Sequence, residues 1–383
     1  METIPSYPQT DQIDPEIAKF LFEEHCAILV LEDLPVGSEF GIDLTAYRIG
    51  DKFKGIKLIP PGLHFVYASA CDNRDNRLGP RCGFFYNFQP RELLLKKWSP
   101  IDEEFIMSDH VLTEEQDRYR ANLRELGHYL GPYSFSSYRT YCSLTNKLTP
   151  TVVESLMPEC KLIRSIPYLV KGSHTPGPMK NPRLRYSRLN PCPEAGDELL
   201  PELVAEPTAR IRFTRISFDH RDSNQPIGHD RITQYCLDST MKLEQIFVGS
   251  SGKELLMGEF QFAFLIFLLC QVFECFEHWK RLLNLICLAD SGISDFPHFY
   301  VDFVGSFLSQ MEQVPAELFE DIIASENLVR TLLDTFFQNV KHRCDDSSDL
   351  GKHASDLKRY LQEKFNWQFD IEAEDEQPVT VYT

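Results

Sequence analysis

Residues 257–290 read MGEFQFAFLIFLLCQVFECFEHWKRLLNLICLAD, and this stretch decides the fold of the C-terminal half of the chain. Between Phe262 and Phe273 every residue is apolar except Gln271. A helix that is apolar on every side is either buried in a protein core or spans a membrane. A spanning helix needs roughly 20 apolar residues, whereas this run stops after about a dozen and charged residues follow it within two turns. We therefore predict one central helix, buried inside a helical domain.

The second half of the stretch is amphipathic and continues the same core. Its apolar side is formed by four residues: Phe276, Leu282, Leu283 and Ile286. Apolar residues recur at helical spacing in further segments, which begin near residues 228, 299, 315, 325 and 347. Short connections make consecutive helices antiparallel neighbours. Residues 226–369 are therefore predicted to form an all-α stack of helical hairpins.

Residues 16–160 have a different texture, with short apolar runs separated by Gly and Pro. Asp14 followed by Pro15 predicts the start of a helix over residues 15–25. Strands are predicted at residues 27–31, 39–43, 46–49, 54–59, 64–69, 83–88 and 93–98. Such spacing is typical of an antiparallel sandwich or barrel, with a polar loop at residues 71–83 and a hairpin across residues 89–92. Three helices are predicted to follow, at residues 114–130, 136–145 and 150–157. The fold class is thus α+β.

Residues 161–225 are rich in Pro, Gly and charge, and we interpret them as a linker with short strands. A strand is predicted near residues 162–167. Residues 180–188 form a basic patch, which is either a solvated loop or a contact for an acidic partner. Residues 209–218, ARIRFTRISF, alternate basic and apolar side chains. This alternation predicts a half-buried strand that packs back on one of the domains.

The two ends of the chain differ from the rest. Residues 1–15 are polar and acidic, which is typical of a frayed terminus and not of a signal or transit peptide. Residues 370–383 are acidic and end in an alternating segment made of Pro378, Val379, Thr380, Val381 and Tyr382. A free segment of this kind can add a strand to the sheet of another chain, so these five residues are the candidate partner-binding site. The alternative is a tail that frays or pairs with its own β-domain.

Composition limits the partners and the compartment. The formal net charge is −18, which argues against wrapping nucleic acid or lying on an anionic membrane. It favours protein partners. The eleven cysteines include no C-x-x-C pair, and no Asn-x-Ser/Thr sequon occurs. Both features are typical of reduced thiols in the cytosol or nucleus.

Residue patterns that carry catalytic or metal chemistry are weak throughout. The glycine-rich turn before Lys253 lacks the spacing of a phosphate-binding loop. Cys270 and Cys287 lie nearly five helical turns apart, too far to share a metal ion, so the thiols are interpreted as core residues and His278 as a polar-face residue. His64 has no second histidine or carboxylate beside it in sequence. We therefore predict no catalytic residue, no cofactor and no metal site.

Aromatic residues between positions 84 and 88 are the remaining candidates for a binding site. Phe84, Phe85, Tyr86 and Phe88 carry faces on which RNA bases can stack. Residues 82–90 contain no basic residue, and only Arg81 and Arg91 flank the run. A β-sheet core is therefore the better interpretation of this cluster.

Three blocks of sequence, at residues 37–69, 79–100 and 254–287, resemble the alpha-two-repression splicing-factor family. The matching motifs are FGID at 40–43, IPPG-x-HF at 59–65, GPR-x-GFF at 79–85 and FEHWKRLLNL at 276–285. They follow the family's order and spacing, and the resemblance runs from about residue 14 to the C-terminus. It implies a β-rich N-terminal domain, a C-terminal helical domain resembling a VHS superhelix, and no enzymatic activity.

The resemblance also implies a partner. Members of this family are assembly factors of the U5 small nuclear ribonucleoprotein. They bind its large core scaffold protein through the RNase H-like domain, near the Jab1/MPN domain, before the particle matures. For this chain it implies a monomer in cytoplasm and nucleus that serves pre-mRNA splicing, with its tail strand bridging partner domains. Two alternatives are a VHS-like trafficking adaptor and a small-molecule or metal enzyme; the enzyme would need a polar cluster inside the β-domain.

Overall fold

A computed structural model describes most of the chain and shows the predicted α+β fold. The residues it describes are 7–72, 77–107, 113–167, 169–171, 203–217, 238–248, 252–315, 328–345 and 347–369. The strands, in chain order, are β1 Ala27–Glu32, β2 Glu39–Ile42, β3 Thr45–Arg48, β4 Gly55–Ile59, β5 Gly62–Asp72, β6 Arg77–Phe88, β7 Leu93–Ser99, β8 Glu104–Ile106, β9 Leu130–Pro132, β10 Ile163–Arg164, β11 Leu169–Lys171 and β12 Leu203–Ala205. An antiparallel-rich β-region therefore precedes the helices, as predicted.

Two five-stranded sheets pack against each other in the N-terminal region. Their strand orders are β8-β7-β1-β4-β9 and β10-β6-β5-β2-β3, and β11 and β12 form a separate pair. Apolar side chains from both sheets meet in one core, for example Leu29 from the first sheet and Phe84 from the second. Most pairings are antiparallel, but β1 pairs with β7 and β4 with β9 in parallel.

Two details of the predicted strand pattern are wrong. The predicted hairpin across residues 89–92 does not form, because β6 and β7 belong to different sheets and the chain crosses between them there. The predicted polar loop at residues 71–83 is mostly strand, since β5 extends to Asp72 and pairs with Arg77 of β6. The described residues at the outer end of β5 and β6, namely 72 and 77–80, are exposed. Because neither face of the strands is buried there, the sequence lacks the apolar alternation that indicates a half-buried strand.

The N-terminal helices follow the prediction except over residues 114–130. The helices are α1 Pro15–Phe20, which continues into a π-helical turn at Leu21–His25, α2 Thr113–Ala121, α3 Leu123–Leu126, α4 Tyr138–Thr145 and α5 Pro150–Leu156. The Asp14 side chain caps α1 by accepting the backbone N–H of Glu16 at 2.9 Å. The predicted single helix over residues 114–130 is wrong, because it is interrupted at Asn122 between α2 and α3 and does not reach Leu130. Leu130 instead pairs with Gly55 as part of β9, because the open edge of β4 offers it backbone partners.

The C-terminal region is a stack of helices, as predicted. They are α6 Thr240–Ile246, α7 Gly252–Cys270, α8 Phe273–Cys287, α9 Asp290–Asp295, α10 Pro297–Gln313, α11 Leu328–Arg343 and α12 Asp349–Phe365. Ser348 caps α12 by accepting the N–H of Gly351 at 3.0 Å. The predicted helix starts near residues 228, 315 and 325 lie outside the described residues. Within the ranges given above, no helix is long and apolar enough to cross a membrane.

The predicted central helix is two helices. The exposed Gln271 adopts a left-handed backbone conformation with φ of +57°, and the chain reverses there between α7 and α8. A left-handed residue after a helix is usually Gly or Asn, so a glutamine at this position carries no sequence signal for the break. The two helices pack against each other, and Trp279 of α8 stacks on Phe260 of α7. The apolar stretch is thus a buried helical hairpin.

Helices that follow the β-sheets in sequence pack against α7. A Cβ at Gly258 would lie 2.8 Å from the carbonyl oxygen of Lys147, which shows how closely the backbones approach. The Gln261 side chain accepts the Lys147 N–H at 2.8 Å and donates to Asn146 at 2.7 Å. Apolar residues of α4 and α5 belong to the same buried cluster as those of α7 and α8. The β-region and the helical region therefore share a continuous core.

Candidate protein-interaction site

The predicted partner-binding residues lie outside the part of the chain that the structure describes. This applies to Pro378, Val379, Thr380, Val381 and Tyr382, and equally to the basic patch at residues 180–188. The most unusual feature of the described residues is the segment at residues 211–217, which we call the strap.

The strap is extended but is not a strand, so the predicted strand at residues 209–218 is wrong. Ile211, Phe213 and Ile216 pack on the helical core, but their spacing is two and then three residues, so the alternation is not kept beyond Phe213. Its backbone hydrogen bonds run to helical residues in place of a neighbouring strand. The N–H of Arg212, for example, donates to the carbonyl of Leu156 at the end of α5, at 2.9 Å. The sequence pattern indicates which side chains face the core. It does not indicate which groups form hydrogen bonds with the backbone.

A buried carboxylate holds the middle of the strap. Glu259 of α7 is only 2% exposed. It accepts the backbone N–H of Thr214 at 2.7 Å and the Thr214 hydroxyl at 2.6 Å. The Nε2–H of His278 on α8 donates to the same carboxylate at 2.6 Å. Three donors thus satisfy one buried charge, which is the condition under which an ionised group is tolerated inside a protein.

His278 is not the polar-face residue that the sequence predicted. Its ring is buried, and the ring of Phe213 stacks on it with centroids 4.0 Å apart. The amphipathic pattern of α8 assigned this side of the helix to water, but the strap covers it. The strap lies 60 or more positions away from His278 along the sequence. The periodicity of a helix cannot indicate that such a distant segment covers it.

The strap fills only part of the depression in which it lies. A cavity of about 630 Å³ runs along it, lined by both acidic and basic side chains. Its charged lining residues are Glu206, Arg210, Arg215, Glu274, Glu277 and Arg281. This cavity, together with the strap-facing sides of Glu259 and His278, is called the strap groove below.

Apolar side chains are exposed beside the strap groove. Phe273, at the start of α8, is 64% exposed, and Ile166, after β10, is 60% exposed. A second cavity of about 230 Å³ is lined by Phe273, Pro167, Ile211 and Val272 among others. Large apolar side chains that cluster at the surface around concave regions mark interaction sites more often than isolated ones do.

The β-region contains a buried polar cluster that the sequence did not reveal. Asp43 accepts the His64 ring at 2.6 Å, the Tyr133 hydroxyl at 2.7 Å and the N–H of Phe65 at 2.9 Å. The second ring nitrogen of His64 lies 2.8 Å from the carbonyl of Pro60. Burial and the Asp43 charge raise the pKa of Tyr133 well above its ordinary value, so its hydroxyl stays protonated. These residues are far apart in sequence, so no local motif predicts the cluster.

This cluster is closed to solvent. Asp43, His64 and Tyr133 are each at most 2% exposed. The cavities of about 630 Å³ and 230 Å³ described above are not lined by them. Such a network stabilises the segments that carry it.

Buried thiols and aromatics behave as core residues. Burial raises the pKa of Cys26 and Cys82 to about 12, so both thiols remain protonated. Cys270, Cys275 and Cys287 are fully buried, which confirms their interpretation as core thiols. Among the described residues, no group of three or more His, Cys, Asp or Glu side chains is placed to hold a metal ion.

The aromatic cluster of β6 is also part of the core. Phe84 and Phe88 lie in the buried cluster between the two sheets. Phe85 packs on the other side, with its ring 5.5 Å from that of Phe262 in α7. The interpretation of this cluster as core is therefore confirmed.

Sequence reasoning missed Glu259 and Thr214 as paired residues. One signal was available, because Glu259 is the only charged residue between Met257 and Phe273. A lone charge in an otherwise buried helix requires a partner. The identity of that partner could not be read from the sequence, since Thr214 precedes Glu259 by 45 positions in the chain.

The arrangement is suited to binding an extended peptide. The strap groove offers a buried acceptor, an aromatic stacking surface and an unfilled cavity along one line. Main-chain hydrogen bonds combined with pockets for alternate side chains are the usual means of recognising extended segments.

Comparison with known proteins covers nearly the whole chain. Residues 25–158 match the family model described as the AAR2 N-terminal domain, and residues 213–370 match the AAR2 C-terminal repeat region. The chain is 34% identical over 377 residues to the human Protein AAR2 homolog, covering 97% of each chain. It is 31% identical over 372 residues to the Caenorhabditis elegans Protein AAR2 homolog, covering 94% of this chain and 99% of the relative. These matches confirm the resemblance drawn from the sequence motifs, and the chain belongs to the AAR2 family.

Proposed function

We propose that this protein is a non-enzymatic assembly factor of the U5 small nuclear ribonucleoprotein that serves pre-mRNA splicing. It binds the large core scaffold protein of that particle through the RNase H-like domain, near the Jab1/MPN domain, before the particle matures. The observation that carries the proposal is membership of the AAR2 family over both of its regions. The net charge of −18 and the exposed apolar side chains around the strap groove support a protein partner.

The mechanism is steric occupation of scaffold surfaces that later partners need. The packed β-region and helical stack supply a rigid body, since they share a continuous core. The tail segment, residues 378–382, adds a strand to the partner and bridges its domains. Its backbone supplies affinity, and its alternate side chains supply specificity. The protein acts as a monomer in the cytoplasm and the nucleus.

The test is recovery of the scaffold protein from cell extract on the full chain and on a chain lacking residues 371–383. We expect the full chain to recover the scaffold and the deletion to weaken its binding at least about tenfold, because a strand of main-chain hydrogen bonds is lost. A matched pair of full-length variants separates side chain from backbone. Val379→Ser with Val381→Ser alters one face of the strand, and Thr380→Ser alters the other by a single methyl group.

Each outcome has a separate meaning. Unchanged affinity of the deletion would remove the tail from the mechanism while leaving the assembly role intact. Failure of the full chain to recover the scaffold would overturn the proposed function. Recovery of vesicle-coat proteins in its place would favour the trafficking alternative.

A further inference from the structure

We propose that the strap groove is a peptide-recognition site that the strap occupies in cis. In trans, it takes an extended segment of a partner protein in which an aromatic residue is followed by Ser or Thr. The strap shows the chemistry of the ligand because it is seated in the groove. The inference goes beyond the proposed function, since it concerns a second binding surface and does not use the tail.

The strap binds its groove as a separate peptide would. It is extended, and its backbone pairs with groove groups: Arg212 donates its N–H to Leu156, and Thr214 donates its N–H to Glu259. Three of its apolar side chains, Ile211, Phe213 and Ile216, pack on the helical core. Recognition of extended peptides by main-chain hydrogen bonds and alternate pockets has the same geometry.

Glu259 determines which residue fits at the centre. Its carboxylate takes one backbone N–H and one hydroxyl from Thr214, and the two donors belong to the same residue. Among side chains that carry a hydroxyl, only those of Ser and Thr place it this close to their own backbone N–H. A ligand without the hydroxyl would leave a buried carboxylate oxygen unsatisfied, which is the feature that sites of this kind reject most strongly.

His278 determines which ligand residue fits at the position before the central Ser or Thr. Its ring stacks face to face on Phe213, with an interplanar angle of 15°, while its Nε2–H is occupied by Glu259. A flat, buried ring favours an aromatic partner over an aliphatic one. The cavity of about 630 Å³ beside the strap leaves room for a ligand bulkier than the strap itself.

The cis occupant explains why the site is normally unavailable. A segment tethered in the same chain acts at an effective concentration on the order of millimolar. A trans ligand of micromolar affinity therefore competes only when the strap is displaced. The apparent dissociation constant is the intrinsic one divided by the fraction of molecules with an open groove.

The experiment opens the groove and measures binding of a fluorescent peptide with the sequence of residues 208–217, TARIRFTRIS. The full-length Thr214→Asp variant places a second carboxylate against Glu259 and should release the strap. Thr331→Asp is the matched control, because Thr331 is exposed on α11 and does not line the strap groove. We expect the peptide to bind Thr214→Asp at least about tenfold more tightly than wild type or the control. A peptide with Val at the position of Thr214 should lose most of this binding.

Hydrogen exchange of the strap amides shows whether the groove has opened. In Thr214→Asp, the amides of residues 212 and 214 should exchange faster, while those of α7 keep their protection. If Thr214→Asp does not fold, Phe213→Ala combined with Thr214→Val opens the groove without adding charge. Opened amides without peptide binding in the folded variant would overturn the proposal, as would equal binding of the Thr and Val peptides.

Discussion

The molecule contains two buried histidine–carboxylate pairs with the same contact distance and opposite surroundings. In the β-region, Asp43 and His64 lie 2.6 Å apart, and in the helical stack Glu259 and His278 also lie 2.6 Å apart. Both carboxylates accept further donors. Those of Asp43 come from the β5 backbone and from Tyr133. Those of Glu259 come from the strap.

This difference shows that the role of a buried histidine–carboxylate pair depends on which part of the chain supplies the other hydrogen-bond donors to the carboxylate. Around Asp43, every donor belongs to the tightly packed β-region, so the pair can be broken only by opening that core. Around Glu259, two of the three donors belong to Thr214 in a segment without regular secondary structure. That segment can leave while the helices stay folded, because segments with few buried contacts open at a lower free energy than the core does.

The largest expected effect comes from removing the carboxylate in the closed cluster. Asp43→Ala leaves three buried donors without an acceptor and should lower the free energy of unfolding by about 3–5 kcal/mol. Urea denaturation measures this loss in the free energy of unfolding. Asp33→Ala is the matched control, because Asp33 is exposed and also has a positive φ, so it reports the backbone strain of alanine alone, about 1–2 kcal/mol. Equal losses in the two variants would show that the cluster contributes no stability.

A smaller effect is expected from the matching change at the strap. Glu259→Ala should lower the free energy of unfolding by about 2 kcal/mol, because His278 loses its acceptor while Thr214 can turn to water. Hydrogen exchange at residue 214 should accelerate more than exchange in α7. Glu254→Ala on the exposed side of the same helix should leave both quantities unchanged. Loss of protection throughout α7 would contradict the idea that the strap opens separately.

The smallest effect should come from removing one donor of the closed cluster. Tyr133→Phe deletes the hydroxyl that donates to Asp43 and keeps the ring, so we expect a loss of about 1 kcal/mol. Tyr129→Phe, at a half-exposed tyrosine, is the control and should change stability by less than about 0.5 kcal/mol. Thermal unfolding of the two variants side by side measures the difference. A loss as large as that of Asp43→Ala would mean that Tyr133 holds the cluster together by itself.

Much of the fold follows from local patterns. The Asp14 cap, most of the short strands of the β-region and the amphipathic helices that begin at Pro297 and Asp349 lie where spacing and capping rules place them. The reversal at Gln271 does not follow, because the apolar run continues through it and glutamine is not a helix-ending residue. The pairing of β1 with β7 and of β4 with β9 does not follow either. Pairing between distant strands depends on which edges are open once the sheets have formed.

The two buried histidine–carboxylate pairs were also predictable only in part from the sequence. The family resemblance rests on motifs such as FGID and FEHWKRLLNL, and these motifs contain Asp43 and His278. Because the IPPG-x-HF motif also contains His64, the sequence carried both members of the first pair and one member of the second within its motifs. It did not show that Asp43 meets His64 and Tyr133, or that His278 meets Glu259 under the strap.

The sequence by itself determined the α+β class, the family and which faces of most elements are apolar, because these depend on residue type and on spacing within one element. Only the tertiary structure decided which carboxylate meets which histidine and which segment covers α8. Those contacts join residues 19 to 90 positions apart. The free energy that selects them comes from satisfying buried charges, and it depends on where the chain returns in space and not on any local pattern.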